Sequence, residues 1–321
     1  MTTEPIKLSP AFKDYLWGGT RLKTEFGMKS SLNKVAEAWE LSCHPDGPSI
    51  VASGEYAGMT LAEYLAKAGK TALGTHCAEL DSFPVLIKLI DAANKLSIQV
   101  HPDDEYAKRV EHENGKTEMW YVVDCTEGAT LIYGFNREIS KEEFRRRIED
   151  NTLTDVVNTV PVHKGDVFFI EAGTLHAIGS GILIAEIQQN SNSTYRVSDY
   201  GRLGADGKPR PLHIDKALDV TKLTPSGNPD RREVPIKREG CVTTVLARCS
   251  RFTVTAIELR GKAPFFADET SFHALLCTEG EAVLCCGNRR LTLKRGECIF
   301  IPACCGEYLL DGAGRILCTS V

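Results

Sequence analysis

Along most of the chain, short apolar runs alternate with clusters of Gly, Pro, Asn and Asp. The runs at 84–89, 96–100, 118–123, 129–133, 166–170 and 182–188 have strand length and close spacing. Many short strands separated by turn residues predict a sandwich or barrel rather than a helical bundle. Helices are few. Thr60 with Glu63 gives a capping-box pattern ahead of 61–67, and Ser140 with Glu143 gives another ahead of Phe144, Arg147 and Ile148. The stretch 102–110 predicts a further helix, and the polar text PSGNPDRREVPIKR within 225–238 reads as a linker.

A weak internal repeat organises these elements. WYVVDCTEG at 120–128 corresponds to FHALLCTEG at 272–280. Each is followed by a glycine-acid-strand unit, KGDVFFIEAGTLH at 164–176 and RGECIFIPACCGE at 295–307. Both units resemble the second cupin motif, Gly-x5-Pro-x-Gly-x2-His. The first has Gly165, Gly173 and His176, with Glu171 in place of the proline. The second keeps Gly296 and Pro302, but Cys304 replaces the glycine and Glu307 the histidine. The resemblance implies a mainly β fold of two cupin-type jelly-roll barrels or sandwiches with a few short helices. Residues 1–235 would carry the site, and 236–321 would form a degenerate cupin-like β domain.

Composition narrows the partners. The chain of 321 residues is 42% hydrophobic and 25% charged, with a net charge of −5. That balance gives no basic surface for nucleic acid, and an anionic substrate would need a local cationic cluster. No apolar leader or bilayer-length run is evident, so the expected partner is a small molecule, with no membrane and no nucleic acid, for a cytoplasmic monomer. Nine of the twelve cysteines lie between Cys241 and Cys318, without a CxxC pair. They are expected to be reduced thiols that pack as small hydrophobes.

The candidate chemistry begins in LSIQVHPDD at 96–104. Strand side chains alternate, so Gln99 and His101 share one face, with Ile98 and Val100 on the other. Polar groups on an apolar strand need partners. Core hydrogen bonding would supply them, as would a metal. Glu118 opens the run EMWYVV, where a solvated strand end is the plain reading, and His176 follows the cupin-like turn. Pointed into one barrel, His101, Glu118 and His176 supply two imidazoles and a carboxylate, with Gln99 as a fourth ligand. The set suits a catalytic zinc with an open position, and equally a non-haem iron. Lys88, inside PVLIKLI, reads as an ammonium directed into a pocket. Lys116 follows the turn pair Asn114-Gly115, Arg196 lies in a polar stretch read as a loop, and Trp17 is either core or pocket wall.

KLSIQVHPDDEYA (95–107), GKTEMWYV (115–122), GTLHAIG (173–179), NSNSTYRVSDYGR (190–202) and WGGTRL (17–22) together resemble the type I phosphomannose isomerases. The match is collinear over roughly residues 5–220. It implies an aldose–ketose isomerase interconverting mannose 6-phosphate and fructose 6-phosphate through a zinc-stabilised cis-enediol. It further implies one zinc per chain on Gln99, His101, Glu118 and His176, catalytic roles for Arg196 and Lys116, and substrate contacts from Lys88, Trp17 and Asn192. The proton carrier stays open between Lys116, a bound water and Glu118. Longer members have His-Lys-Pro-Glu where this chain has Gly115-Lys116-Thr117-Glu118, an Asp at Asn192, a Lys at Trp120, and a helical domain reduced here to 140–157. These departures match the short bacterial form. The rival readings are a metal-dependent bicupin oxygenase and a non-catalytic sugar-binding cupin.

Overall fold

Alternating apolar positions pair the strands into three sheets in the computed structural model, which describes residues 4–204 and 207–321. The central sheet has six strands, in the order Val167–Ile170, Glu118–Cys125, Ile182–Gln189, Val85–Ala92, Glu37–Leu41 and Ala11–Lys13. A five-stranded sheet runs Tyr195–Ser198, Ile98–Val100, His176–Ala177, Thr130–Phe135 and Val157–Pro161. The third, nine-stranded sheet is built mostly from 236–321. All three follow open paths, so the expected sandwich form of the jelly roll is the one adopted.

The central sheet is covered on both faces. On the Val85–Ala92 strand, Val85, Ile87 and Leu89 pack with Phe300, Leu276 and Leu317 of the nine-stranded sheet. Ile90 and Ala92 point the other way and pack with Leu131 and Tyr133 of the five-stranded sheet and with Ile178 just beyond its His176–Ala177 strand. Burial on two faces explains why this strand and Ile182–Gln189 are buried at every position and read as continuous apolar runs. The outer face of the five-stranded sheet is closed by the helices Lys141–Glu149 and Ile214–Val220, through Phe144, Ile148, Ala217 and Leu218.

The six expected strands all form, with ends moved by a few residues. The Leu61–Ala68 helix carries its reciprocal capping box, and the Ser140 side chain caps Lys141–Glu149 by accepting from the Glu143 amide at 3.1 Å. The helix expected over 102–110 starts at Asp104, because Asp103 serves as its cap and the chain stays extended through Pro102. The 225–238 segment is irregular until it ends in the edge strand Ile236–Arg238. Helix Ile214–Val220 and the strands before residue 52 have no counterpart in the sequence reading.

The repeat survives as topology. Glu118–Cys125 pairs antiparallel with Val167–Ile170, as His273–Cys286 does with Cys298–Ile301. Gly165 and Gly296 both have φ near +90°, at 92° and 82°. More telling, Cys304 holds φ at 60° where the first copy has Gly173 at 86°. The second copy has kept the left-handed turn after losing the residue that adopts it easily. The first strand crosses the expected boundary between the two halves: Ile6–Ser9 pairs with Cys298–Ile301 on one side and Ile50–Val51 on the other. All twelve cysteines are free thiols, with the Cys286 and Cys305 sulfurs 3.3 Å apart. Among the described residues no helix is long and apolar enough to cross a membrane.

One buried carboxyl in this frame makes stability depend on pH. Glu40 is fully buried beside Cys298, and neither of its oxygens has a hydrogen-bond partner. Burial, reinforced by Glu297, pushes its pKa well above the usual carboxyl value. The native state therefore keeps a proton that the unfolded chain releases, and stability falls as pH rises from the ordinary carboxyl range toward the native pKa. Over that window the slope from this group is about 1.4 kcal/mol per pH unit. Urea unfolding of the parent and Glu40→Gln from pH 4.5 upward is expected to show the parent losing stability relative to the variant. Parallel curves would rule this out.

Candidate active site

Strand register sets two rows of side chains facing each other. In the five-stranded sheet Arg196 lies opposite Gln99, Gln99 opposite His176, and His176 opposite Tyr133. In the central sheet Trp39 lies opposite Lys88, Lys88 opposite Glu186, Glu186 opposite Trp120, and Trp120 opposite Phe168. Directly paired residues share a face, so each row lines one wall. One end is sealed where the rings of Trp120 and His176 meet edge-on at 5.3 Å and those of Tyr133 and Phe168 approach to 6.3 Å.

The metal candidates converge between these rows. Glu118 precedes Trp120 by one pleat, and His101 follows the Ile98–Val100 strand, two residues beyond Gln99. Ligand atoms of His101, Glu118 and His176 lie within 4.8 Å of one another, and all three side chains are buried. Glu118 Oε2 is 3.6 Å from His101 Nε2, and Oε1 is 3.4 Å from His176 Nε2. The Gln99 amide is 3.4 Å from the same His176 nitrogen. Each imidazole donates through Nδ1 to a backbone carbonyl, His101 to Ser193 and His176 to Thr174, both at 2.8 Å. That fixes the tautomer and leaves both Nε2 lone pairs aimed at the shared space.

Electrostatics test whether a cation fits there. Glu118 Oε1 makes no hydrogen bond, and Oε2 meets only the Lys116 ammonium. Burial, then the Glu186 charge, pushes the Glu118 carboxyl up to about 7, against the pull of Lys116 and Lys88. Burial pushes His176 down to about 4 and, with Lys116 and His176 adding to it, holds His101 well below its usual value. Two neutral imidazoles and a buried acid therefore face each other without enough positive charge. The Lys116 ammonium leans into the gap, 3.0 Å from Glu118 Oε2 and 3.1 Å from His101 Nε2. The donor set fits a divalent cation, and the ammonium supplies positive charge to the same acid.

Beside this cluster opens a cavity of about 300 Å³. Trp17, Lys88, Gln99, Lys116, Asn192 and Arg196 all line it. Lys88 Nζ is 3.1 Å from Glu186, 3.9 Å from Glu37, and 5.1 Å from the Trp39 ring centre. Burial opposes its charge, but Glu186 and Glu37 outweigh burial and keep it an ammonium. Trp17 is both core and wall, since it packs with Ile90 and Trp120 while touching the cavity. Asn192 donates to Asp46 Oδ2 at 2.8 Å. Arg196 departs from the expected loop position: Tyr195–Ser198 is a strand, because Tyr195 and Val197 alternate into the core and Ile98–Val100 offers a free edge. Arg196 Nη1 donates to the Pro211 carbonyl at 3.1 Å, while Nε is buried without a partner. Burial and the neighbouring Arg210 pull its pKa down from the usual value.

Four lining or supporting residues went unread in the sequence. Glu186 interrupts an apolar strand opposite Lys88 and accepts from Trp120 Nε1 at 2.9 Å; an acid inside 182–189 was its signal. Glu37 lines the cavity from a strand that the sequence did not reveal. Arg210 reaches the cavity while Asp199 holds it at 2.7 Å, and nothing in the local text marks that pair. A larger groove, about 830 Å³, lies on the nine-stranded sheet between Phe265, Phe266, His273 and Tyr308. It brings no metal-ligating trio together among the described residues.

Known proteins fit this arrangement along the whole chain. The family model "Phosphomannose isomerase type I, catalytic domain" matches residues 6–129, and "Mannose-6-phosphate isomerase, cupin domain" matches 242–321. Mannose-6-phosphate isomerase ManA of Bacillus subtilis is 40% identical over 97% of both chains. A mannose-6-phosphate isomerase of Streptococcus mutans is 36% identical over 98% of this chain and 97% of its own. The crystal structure of the mannose 6-phosphate isomerase from Bacillus subtilis superposes with a TM-score of 0.92, at 35% identity and 99% coverage of each chain.

Proposed function

From the premise that this chain belongs to the type I phosphomannose isomerase family, we propose that it interconverts mannose 6-phosphate and fructose 6-phosphate in the cavity between the two sheets. The observation that carries the reading is the buried His101–Glu118–His176 cluster opening onto a cavity lined by cations. An oxygenase would need the same ligands, but it leaves Lys88, Lys116, Arg196 and Arg210 around the cavity without a purpose. A sugar-binding cupin leaves an intact ligand set unused.

Aldose–ketose isomerisation takes a proton from C2, passes through a cis-enediolate, and returns a proton to C1. A zinc ion held by His101, Glu118 and His176, with the Gln99 amide turned oxygen-inward, would act as a Lewis acid on the sugar oxygens. Arg196 sits beside Gln99 in the row and supplies fixed positive charge where the enediolate oxygen develops. Lys116 reaches both the ligand cluster and the cavity; acting as the free amine, it is the group placed to take the proton from C2 and, as the ammonium so formed, to return it to C1. Lys88 is held in one orientation by Glu186, Glu37 and Trp39, so its charge is fixed before substrate arrives. Trp17 offers an apolar wall and Asn192 a polar rim for the sugar, and the guanidinium of Arg210 adds a donor suited to phosphate. On the same reading the enzyme works as a monomer in the cytoplasm with one zinc per chain.

The test is a coupled assay on purified protein, with metal content measured alongside. Mannose 6-phosphate turnover with one zinc per chain, lost on chelation and regained on adding zinc, is the expected result. Full turnover in metal-free protein would sink the reading, as would oxygen consumption with bound iron and no isomerisation.

A further inference from the structure

A second carboxylate, outside the cavity, organises one of the metal ligands. Ser191, Asn192 and Ser193 lie in the segment that carries the chain from the central sheet, after Ile182–Gln189, to the five-stranded sheet at Tyr195–Ser198. The segment makes no ladder of its own, so something else must fix its shape. Glu113 does so. Its Oε2 accepts from the Ser193 hydroxyl at 2.7 Å, the Ser191 hydroxyl at 3.1 Å and the Asn192 amide at 3.3 Å. Its Oε1 is 3.1 Å from His44 Nε2. The Asp46 amide donates to His44 Nδ1 at 3.1 Å, so His44 Nε2 carries the hydrogen and donates to Glu113. His44 is itself buried and lies edge-on to Trp39 at 5.8 Å. Asp46 reaches the same segment from outside through Asn192.

The carbonyl of Ser193 is the acceptor for His101 Nδ1. One carboxylate therefore stands two hydrogen bonds from a metal-facing imidazole, and it pins the residue whose backbone sets that imidazole's orientation. We propose that Glu113, held by His44, is a positioning residue for the metal centre, acting on His101 through the Ser191–Ser193 bend. The inference rests on the metal-centre reading above. Burial opposes the Glu113 charge, but hydrogen bonds from Ser193, His44 and Ser191 outweigh it and hold the carboxyl below its usual range, so all four donors meet an anion. Outer partners that orient a ligating histidine change metal affinity when removed, and Glu113 fills that role at one remove.

The test reads zinc affinity by competition with a chromophoric chelator, and the rise in thermal midpoint on adding zinc to metal-free protein. Glu113→Ala is expected to weaken zinc binding by about 10- to 100-fold, the range for loss of an outer partner. Glu113→Gln, whose single amide oxygen can still accept, falls between alanine and the parent. Ser193→Ala removes only one hydroxyl and keeps the carbonyl, so it weakens binding less. A purely structural Glu113 would lower the metal-free and zinc-loaded midpoints together, whereas a positioning Glu113 shrinks the zinc-induced rise. Unchanged zinc affinity in Glu113→Ala overturns the proposal. If that variant does not fold, unchanged affinity in both Glu113→Gln and Ser193→Ala overturns it equally. A parent protein that binds zinc without isomerising mannose 6-phosphate removes the functional reading alone; a parent that binds no zinc removes both.

Discussion

Replacing His176 by alanine is expected to empty the metal centre and lower kcat/KM for mannose 6-phosphate by at least about a thousandfold. The size follows from what is lost. His176 is fully buried, its Nδ1 is committed to the Thr174 carbonyl, and its Nε2 has no protein partner better suited than a cation. Alanine leaves one imidazole, one carboxylate and the weak Gln99 amide, too little to hold a catalytic zinc against water. Several kcal/mol of charge stabilisation in the transition state goes with the ion, and each 1.36 kcal/mol is roughly tenfold in rate. Metal analysis and steady-state kinetics on the same preparation decide it. Normal turnover without metal would refute the assignment, and His101→Ala is expected to behave alike.

Replacing Arg196 by alanine is expected to separate binding of metal from chemistry. The side chain lies beside Gln99 in the row, yet it touches none of the three clustered ligands, so zinc content stays near that of the parent. The loss falls on kcat/KM, by about a hundred- to a thousandfold, as for removal of one preorganised donor at a developing oxyanion. Lysine at this position keeps the charge but not the planar fork, and it recovers activity only in part. An unchanged kcat/KM in Arg196→Ala would reduce this residue to a strand element holding Pro211.

Part of the candidate cluster was legible in the text because strands write their geometry plainly; Glu118 and His176 joined it only through the resemblance. QVH alternates with a period of two, and Pro102 stops the strand, so Gln99 and His101 fall on one face from the letters alone. Lys88 was legible for the same reason: an ammonium inside a run buried at every position has to be paired. Glu186 offered the same signal and lay unread within ILIAEIQQ. What stayed illegible depends on contacts between distant segments. Arg196 looks like a loop residue because its strand has only four residues and exists by pairing with Ile98–Val100. Glu113 sits in a polar run after a helix, where a solvated acid is the natural reading, and its four donors come from residues 44 and 191–193. The repeat was visible as words, but its meaning, a left-handed backbone at Cys304 that copies Gly173, needed coordinates.

The strand Ile6–Ser9 has a consequence for how the protein comes into being. Ile6 faces Phe300, so the chain must be made through residue 300 before this strand gains its neighbour on that side, although Ile50–Val51 lies close in sequence for its other edge. Until then Ile6 and Leu8, destined for the layer beneath the central sheet, lack the cover of Leu276, Phe300 and Leu317. Closure of so long a loop is slow, and nascent chains wait with an unpaired hydrophobic edge that invites chaperones or self-association. Shortening the chain at either extreme would thus strike the same sheet, from opposite sides.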